Sequence, residues 1–162
     1  MRILIAGMDG YLGWPLSLRL AAHGHVVAGL DKGLRRSWVK EVGSHSAIPI
    51  ASIDERLRAF ELLAKQSIKF WSGDLCDYSI AQDAIRVFKP DAVVHLAEMP
   101  SAAYSMMDAE HAAYTQRNNI VGTLNLLHAL REEQPGAHLV KLGTMGEYGT
   151  PNLPIPEGFF EV

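Results

Sequence analysis

The sequence predicts an α/β domain built as a doubly wound parallel sheet, and three observations carry that prediction. Short runs rich in Val, Ile and Leu stand at Ile3–Ala6, Val26–Leu30, Ile68–Trp71, Ala92–Ala97 and Leu139–Leu142. Between them, Leu12–Ala22, Ile53–Ala64, Ile80–Phe88 and Ala112–Leu130 place apolar residues three and four apart. The links are short apart from one irregular stretch, 31–51. Continuous apolar runs mark strands covered on both faces, and three-and-four spacing marks amphipathic helices. Their alternation implies parallel strands joined by right-handed crossovers, hence a sheet with helices on both faces.

The first strand leads into Gly7-Met8-Asp9-Gly10-Tyr11-Leu12-Gly13 and then directly into a helix from Tyr11 to Ala22. A diphosphate approaches a backbone only where side chains are absent. The first two glycines therefore open the turn, the third allows close packing of helix on strand, and the helix N-terminus adds partial positive charge. This G-x-x-G-x-x-G spacing, placed between a strand and a helix, predicts dinucleotide binding. The second strand, Val26–Leu30, ends at Asp31, 24 positions after Gly7. A carboxylate there accepts the ribose hydroxyls and repels a 2′-phosphate, so NAD is favoured over NADP. Lys32, Arg35 and Arg36 follow closely and read either as holders of such a phosphate or as a solvated loop.

Gly33, Gly43, Ser44, Ser46 and Pro49 make 31–51 a long loop with one short helix at Arg35–Val42; long loops in compact domains are often functional. After the third strand, Gly73-Asp74-Leu75 reads equally as a polar turn facing the adenine or as a cap for the next helix. His95 closes the fourth strand as a packed histidine beside the cofactor path, while Met99, Met106 and Met107 are expected to fill core or crevice gaps. Arg131-Glu132-Glu133-Gln134 reads as a solvated helix end. From Gly149 onward, Pro151, Pro154, Pro156 and Gly158 break any regular element. Residues 1–150 are thus expected to form the cofactor domain, and 151–162 to begin a connection to a substrate domain.

Composition excludes several classes. A chain of 162 residues with 48% hydrophobic and 20% charged residues supports one globular core without staples. Fifteen Lys+Arg against 18 Asp+Glu leave a formal charge of −3, not the basic footprint that nucleic acid or an anionic membrane surface demands. No apolar run approaches the ~20 residues of a membrane span. Strand one starts directly after Met1 with no leader-like basic and apolar regions, so a cytoplasmic protein is expected. The single Cys76 rules out an intrachain disulfide, reads as a small buried apolar group and suits a reducing compartment. His23-x-His25 has no acidic or cysteine neighbour and reads as a surface turn, so no metal site is expected.

The glycine spacing, together with Asp74-Leu75, His95-Leu96-Ala97 and Asn119-Ile120-Val121-Gly122-Thr123-Leu124-Asn125-Leu126-Leu127, resembles the extended short-chain dehydrogenase/reductases that modify nucleotide sugars. These are NAD-dependent epimerases and dehydratases of Rossmann fold, and the resemblance covers nearly the whole chain. Within the group it is greatest to the sulfosugar-forming branch. It rests there on Gly10-Tyr11, Arg35-Arg36, Pro49–Ile53, Tyr104-Ser105-Met106, Tyr114-Thr115-Gln116, Asn118-Asn119 and above all the run from Leu139 to Asn152. The resemblance implies NAD held from four segments and one helix. These are Gly7, Asp9, Gly10, Tyr11, Leu12 and Gly13 in the first turn, Asp31, Lys32 and Arg35 after the second strand, and Asp74 and Leu75 after the third. Leu96, Ala97 and Glu98 follow the fourth, with Asn119 on the long helix.

In the resembled enzymes the hydroxyl matching Thr144 hydrogen-bonds the sugar C4 oxygen, a Tyr takes its proton, and a Lys lowers the Tyr pKa so that hydride leaves C4. Four positions after Tyr11, Tyr78, Tyr104, Tyr114 and Tyr148 stand Pro15, Gln82, Asp108, Asn118 and Asn152, so Tyr-x-x-x-Lys is missing. The family places that pair downstream of the Thr motif, and the chain is expected to be the N-terminal part of a longer enzyme. Met145-Gly146 replaces the Asp-Glu pair of sugar 4,6-dehydratases, which speaks against that chemistry. After Glu98 the sulfosugar branch has Gln-Arg; here stand Met99-Pro100, with Ala103 in place of a Pro, and the lost cation bears against sulfite. Three functions stay open: conversion of UDP-glucose and sulfite with NAD recycled, for sulfolipid or sulfosugar biosynthesis; a related sugar-nucleotide epimerase; and an NAD-binding module without activity of its own. The resemblance also implies a homodimer through the apolar faces of Ser101–Met107 and Ala112–Leu130, which core packing explains equally well.

Overall fold

The computed structural model describes residues 1–144. In chain order the elements are β1 (Arg2–Ala6), α1 (Gly13–Ala22), β2 (Val26–Asp31), α2 (Arg35–Glu41), α3 (Ile53–Ala64), β3 (Lys69–Ser72), α4 (Tyr78–Phe88), β4 (Ala92–His95), α5 (Ala102–Ser105), α6 (Ala109–Glu133) and β5 (His138–Lys141). All strand pairs are parallel, in the order β3-β2-β1-β4-β5. The doubly wound sheet is therefore present. The proline-rich tail and the motif residues after Thr144 lie outside the described residues.

Side chains two apart on a strand share a face, and the core divides on that parity. Leu4, Ala6, Ala28, Leu30 and Val93 face one way and meet Ile85 and Phe88 of α4 and Leu126 and Leu130 of α6. Ile3, Ile5 and Val27 face the other and meet Ala21 of α1, with Leu57 and Phe60 of α3 packed against them. A third, aromatic cluster joins Trp38 of α2 to Met99, Tyr104 and Tyr114. It pins the long 31–51 segment against the α5–α6 layer. β1 lies between β2 and β4, so its residues 3–6 are all buried.

Burial on both faces holds for β1, β2 and β4 but not for the two outer strands. No residue of β3 or β5 is fully buried, and Val140 and Leu142 are exposed. Each outer strand has one neighbour, and an apolar run does not tell an edge from a centre. α3 follows its expected bounds and begins with a Ser52–Glu55 capping box, yet it buries no residue fully and leaves Leu62 and Leu63 in solvent. Of the three methionines expected to fill gaps, Met99 is buried, whereas Met106 is 82% exposed because α5 is a single turn ending before it. Glu132 and Glu133 are more than a solvated end: they accept hydrogen bonds from Tyr78 and Gln82 of α4. Cys76 is half-buried, its thiol 3.6 Å from the Arg117 carbonyl and pushed up in pKa by burial. His23 turns back to the Arg19 carbonyl, and no cluster of potential metal ligands exists among the described residues. No described helix is long and apolar enough to cross a membrane.

The register aligns Ala6 with Leu30 and with His95, and His95 with Lys141. The carboxyl ends of four strands thus stand abreast. Strand order reverses direction between β1 and β4, and at such a switch point the diverging loops open a crevice.

Candidate functional site

A cavity of about 390 Å³ fills that crevice, within the ~300–1,000 Å³ typical of small-molecule and cofactor sites. Gly7, Gly10 and Gly13 form part of its lining. Gly7 has φ +88°, and a Cβ there would lie 2.6 Å from the Leu96 carbonyl carbon and 2.7 Å from the Ala97 nitrogen. A Cβ at Gly13 would overlap the Gly7 carbonyl oxygen and approach Met8 Cα to 2.7 Å. Both glycines are required by backbone proximity, which is why the turn can lie against β4 and beneath α1 together. α1 has no side-chain cap and no acid in its first turn. Among the described residues, the amides of Tyr11, Leu12 and Gly13 have no hydrogen-bond acceptor. Unspent donors at a helix start favour an anion.

Asp31 sits at the tip of β2, its two oxygens accepting the Asp9 amide at 2.9 Å and the Gly33 amide at 2.8 Å. Burial pushes its pKa up, opposed by the Gly33 amide and the Arg36 charge. Lys32, beside it, reaches across the cavity wall: its ammonium donates to Asn118 at 2.6 Å and to Asp74 at 3.2 Å. Burial works to raise the Asp74 pKa, but the Cys76 amide and the Lys32 charge outweigh it and hold the carboxyl below its usual range. The N-cap of α4 is Asp77, whose side chain accepts from Ser79, so Asp74 is free of that duty and faces the cavity. Arg35 also lines it and has no ion-pair partner among the described residues.

Leu96, Ala97, Glu98, Tyr11, Leu12 and Leu75, which the resemblance implies as cofactor contacts, also line the cavity. Glu98 is tied to Lys141 of β5 at 2.6 Å. Leu142 and Gly143 close that side, and Thr144 follows directly. Two expected cofactor residues are not brought to the cavity wall. The Asp9 carboxylate is only 2% exposed and is gripped by Arg36 at 2.5 Å and by Arg56 of α3. Asn119 turns to the loop after β4, accepting from the Met99 amide at 2.8 Å and donating to the Met99 carbonyl at 3.1 Å. Both act on the frame of the site instead. The pairing of Arg36 with Asp9 likewise replaces the solvated-loop reading of that cation.

His95 is buried, and its hydrogen bonds define a tautomer. The Ala97 amide donates to Nδ1, leaving Nε2–H to donate to the Thr123 hydroxyl, which in turn donates to the Asn119 carbonyl. Burial lowers its pKa below 6.5, so the ring is neutral. A depressed histidine pKa makes the unfolded chain the better proton acceptor, so stability is full above about 6.5 and falls as pH drops below it toward the folded value. His111 works in the opposite sense, since its hydrogen bond to Asp108 raises its pKa. Unfolding midpoints of wild type and His95→Gln across this range are expected to converge as the pH falls; parallel curves refute the assignment.

Trp38, Asn118 and Pro100 also line the cavity and were not singled out by the sequence for it, and Gly73 lines it beside Asp74 and Leu75. A bare turn at the switch point of a parallel sheet, with a carboxylate at the next strand tip, defines a dinucleotide-binding domain of the Rossmann class. Residues 3–160 match the NAD dependent epimerase/dehydratase family, and the chain belongs to it. It is 48% identical over 160 residues to the UDP-sulfoquinovose synthase of Sulfolobus acidocaldarius, covering 99% of this chain and 41% of that protein. The chloroplastic UDP-sulfoquinovose synthase of Spinacia oleracea is 45% identical over 99% of this chain and 33% of its own length. The chain thus spans less than half the length of these relatives. A crystal structure of UDP-glucose 4-epimerase from Bifidobacterium longum, in complex with NAD+ and UDP, shares the fold with TM-score 0.72 at 22% identity, over 97% of this chain and 41% of that one.

Proposed function

We propose that the chain is the NAD-binding N-terminal part of a nucleotide-sugar enzyme of the UDP-sulfoquinovose synthase kind, converting UDP-glucose and sulfite for sulfolipid or sulfosugar biosynthesis. The observation that carries the reading is 48% identity to such a synthase along 99% of the chain. The residues present fit a dinucleotide, because the positions of Gly7 and Gly13 leave only backbone at the turn and Tyr11–Gly13 keep their amide donors. These amides would hold the diphosphate, Asp31 would accept the ribose hydroxyls, and Asp74 and Leu75 would face the adenine. Leu96, Ala97 and Glu98 would border the path toward the sugar. NAD, when bound, supplies reversible hydride acceptance and so is recycled. Thr144, at the carboxyl edge of the sheet, would hold the sugar C4 oxygen by its hydroxyl. In this reading residues 1–150 are the cofactor domain and 151–162 begin the connection to a substrate domain. The enzyme would work in the cytoplasm as a homodimer, a state supported by the exposed apolar row Ile120, Leu124 and Leu127 on α6.

A second reading, a sugar-nucleotide epimerase, is favoured by Met99-Pro100, which put apolar groups where the sulfosugar branch has a cation. Full-length enzyme incubated with UDP-glucose, sulfite and catalytic NAD separates the two. A sulfonated sugar nucleotide supports the first; a C4 epimer without sulfonate supports the second. In either case Asp31→Ala is expected to weaken NAD binding by about 1–3 kcal/mol, the scale of a lost hydrogen bond to a buried polar group. Unchanged affinity by calorimetry removes Asp31 from the ribose.

A further inference from the structure

Three cations follow β2, Lys32, Arg35 and Arg36, and the structure disposes of them differently. Arg36 is spent on Asp9, and Arg35 stays at the lining unpaired among the described residues. Lys32 is the one next to the ribose carboxylate Asp31, and its side chain is only 15% exposed. Its ammonium is fixed by Asn118 at 2.6 Å and Asp74 at 3.2 Å, both of which also line the cavity, and lies 5.0 Å from the ring centre of Tyr114 and 5.4 Å from that of Trp38. Anchors come from the β3–α4 turn and from α6, and rings from α2 and α6. Four contacts from three elements thus engage one flexible side chain at the cavity wall, and its charge is already matched by Asp74. A free lysine beside the adenosine ribose is a point charge well suited to a 2′-phosphate; a charge already paired and hydrogen-bonded is not.

We propose that Lys32 is a specificity-determining residue whose tethering by Asp74 and Asn118 withholds its ammonium from a 2′-phosphate, so that preference for NAD over its 2′-phosphorylated counterpart rests on this tether as well as on Asp31. This rests on the NAD-binding reading above. Asp74 holds the tether by charge, and Asp74→Asn loosens it while keeping an oxygen for the Cys76 amide.

The test measures NAD and NADP dissociation constants by calorimetry for full-length wild type, Asp74→Asn and Asp74→Asn/Lys32→Met. Asp74 faces the adenine in both cofactors, so the ratio of the two constants cancels its direct contribution. The ratio is expected to move toward NADP by roughly tenfold or more in Asp74→Asn and to return to the wild-type value in the double variant. An unchanged ratio in Asp74→Asn overturns the proposal, and so does a shift that persists without Lys32, since loss of one negative charge then explains it. Asn118→Leu, which removes the other anchor and leaves every charge in place, is expected to shift the ratio the same way; no shift there is also contrary. Wild type that binds neither cofactor refutes the NAD-binding reading itself, an outcome distinct from normal NAD binding with an unmoved ratio.

Discussion

Gly7→Ala is expected to cost about 2–5 kcal/mol of folding stability and to reduce NAD affinity by more than roughly a hundredfold. Two penalties combine. The left-handed backbone at φ +88° disfavours any L side chain, by about 1–2 kcal/mol. The new methyl would also stand 2.6–2.8 Å from the Leu96 and Ala97 backbone, which has no flexible end to give way. Relief requires the turn to lift off β4, and that displaces the amides of the cradle. Gly24→Ala is the matched comparison, with φ +80° but nothing within 4 Å. It should show the backbone strain alone and leave cofactor affinity intact. Denaturant midpoints and calorimetry on both variants check the pair; equal losses at the two positions refute the packing argument.

Asp9→Ala is expected to destabilise the protein by about 3–5 kcal/mol, the scale of breaking a buried ion pair from one side. Its carboxylate is almost fully buried, and removing it strands two guanidinium groups, of which Arg56 has a side chain only 14% exposed. Arg56 stacks at 4.6 Å on Trp14 of α1, and among the described residues Asp9 is its one ion-pair partner. Since α3 buries no residue fully, this charge contact is a main attachment of α3 to the glycine turn. Arg56→Leu with Asp9→Leu in one chain should therefore recover part of the loss, because it removes the more buried of the two stranded guanidinium groups and leaves only Arg36 unpaired. Urea unfolding of Asp9→Leu, Arg56→Leu and the double forms the cycle; strict additivity refutes the coupling.

Most of the sheet and the glycine turn were legible because their signals are local. Strand–turn–helix order and bare backbone are written in consecutive residues, and Gly7, Gly10 and Gly13 needed no partner to be recognised. Direction of side chains was less legible. The spacing brings Asp9 to the turn but does not say that its carboxylate points away from the cavity, because the arginine that turns it comes 47 residues later. Asn118 was within reach of the sequence: Thr115, Asn118, Gly122, Leu126 and Ala129 fall on the buried row of α6, and Asn119 lies about 100° further round. Trp38 had a signal too, as the sole large aromatic in a short polar helix. Edge and central strands looked alike in the sequence because burial of an apolar run depends on how many neighbours the sheet supplies.

The glycine turn is shaped by residues made long after it. Residues 7–13 leave the ribosome early, but the Leu96–Ala97 backbone against which Gly7 rests arrives some 90 residues later. At about 5–20 residues per second that interval is on the order of 5–20 s. Through that time the glycine turn lacks the backbone surface on which Gly7 rests, and its final shape waits on the docking of β4.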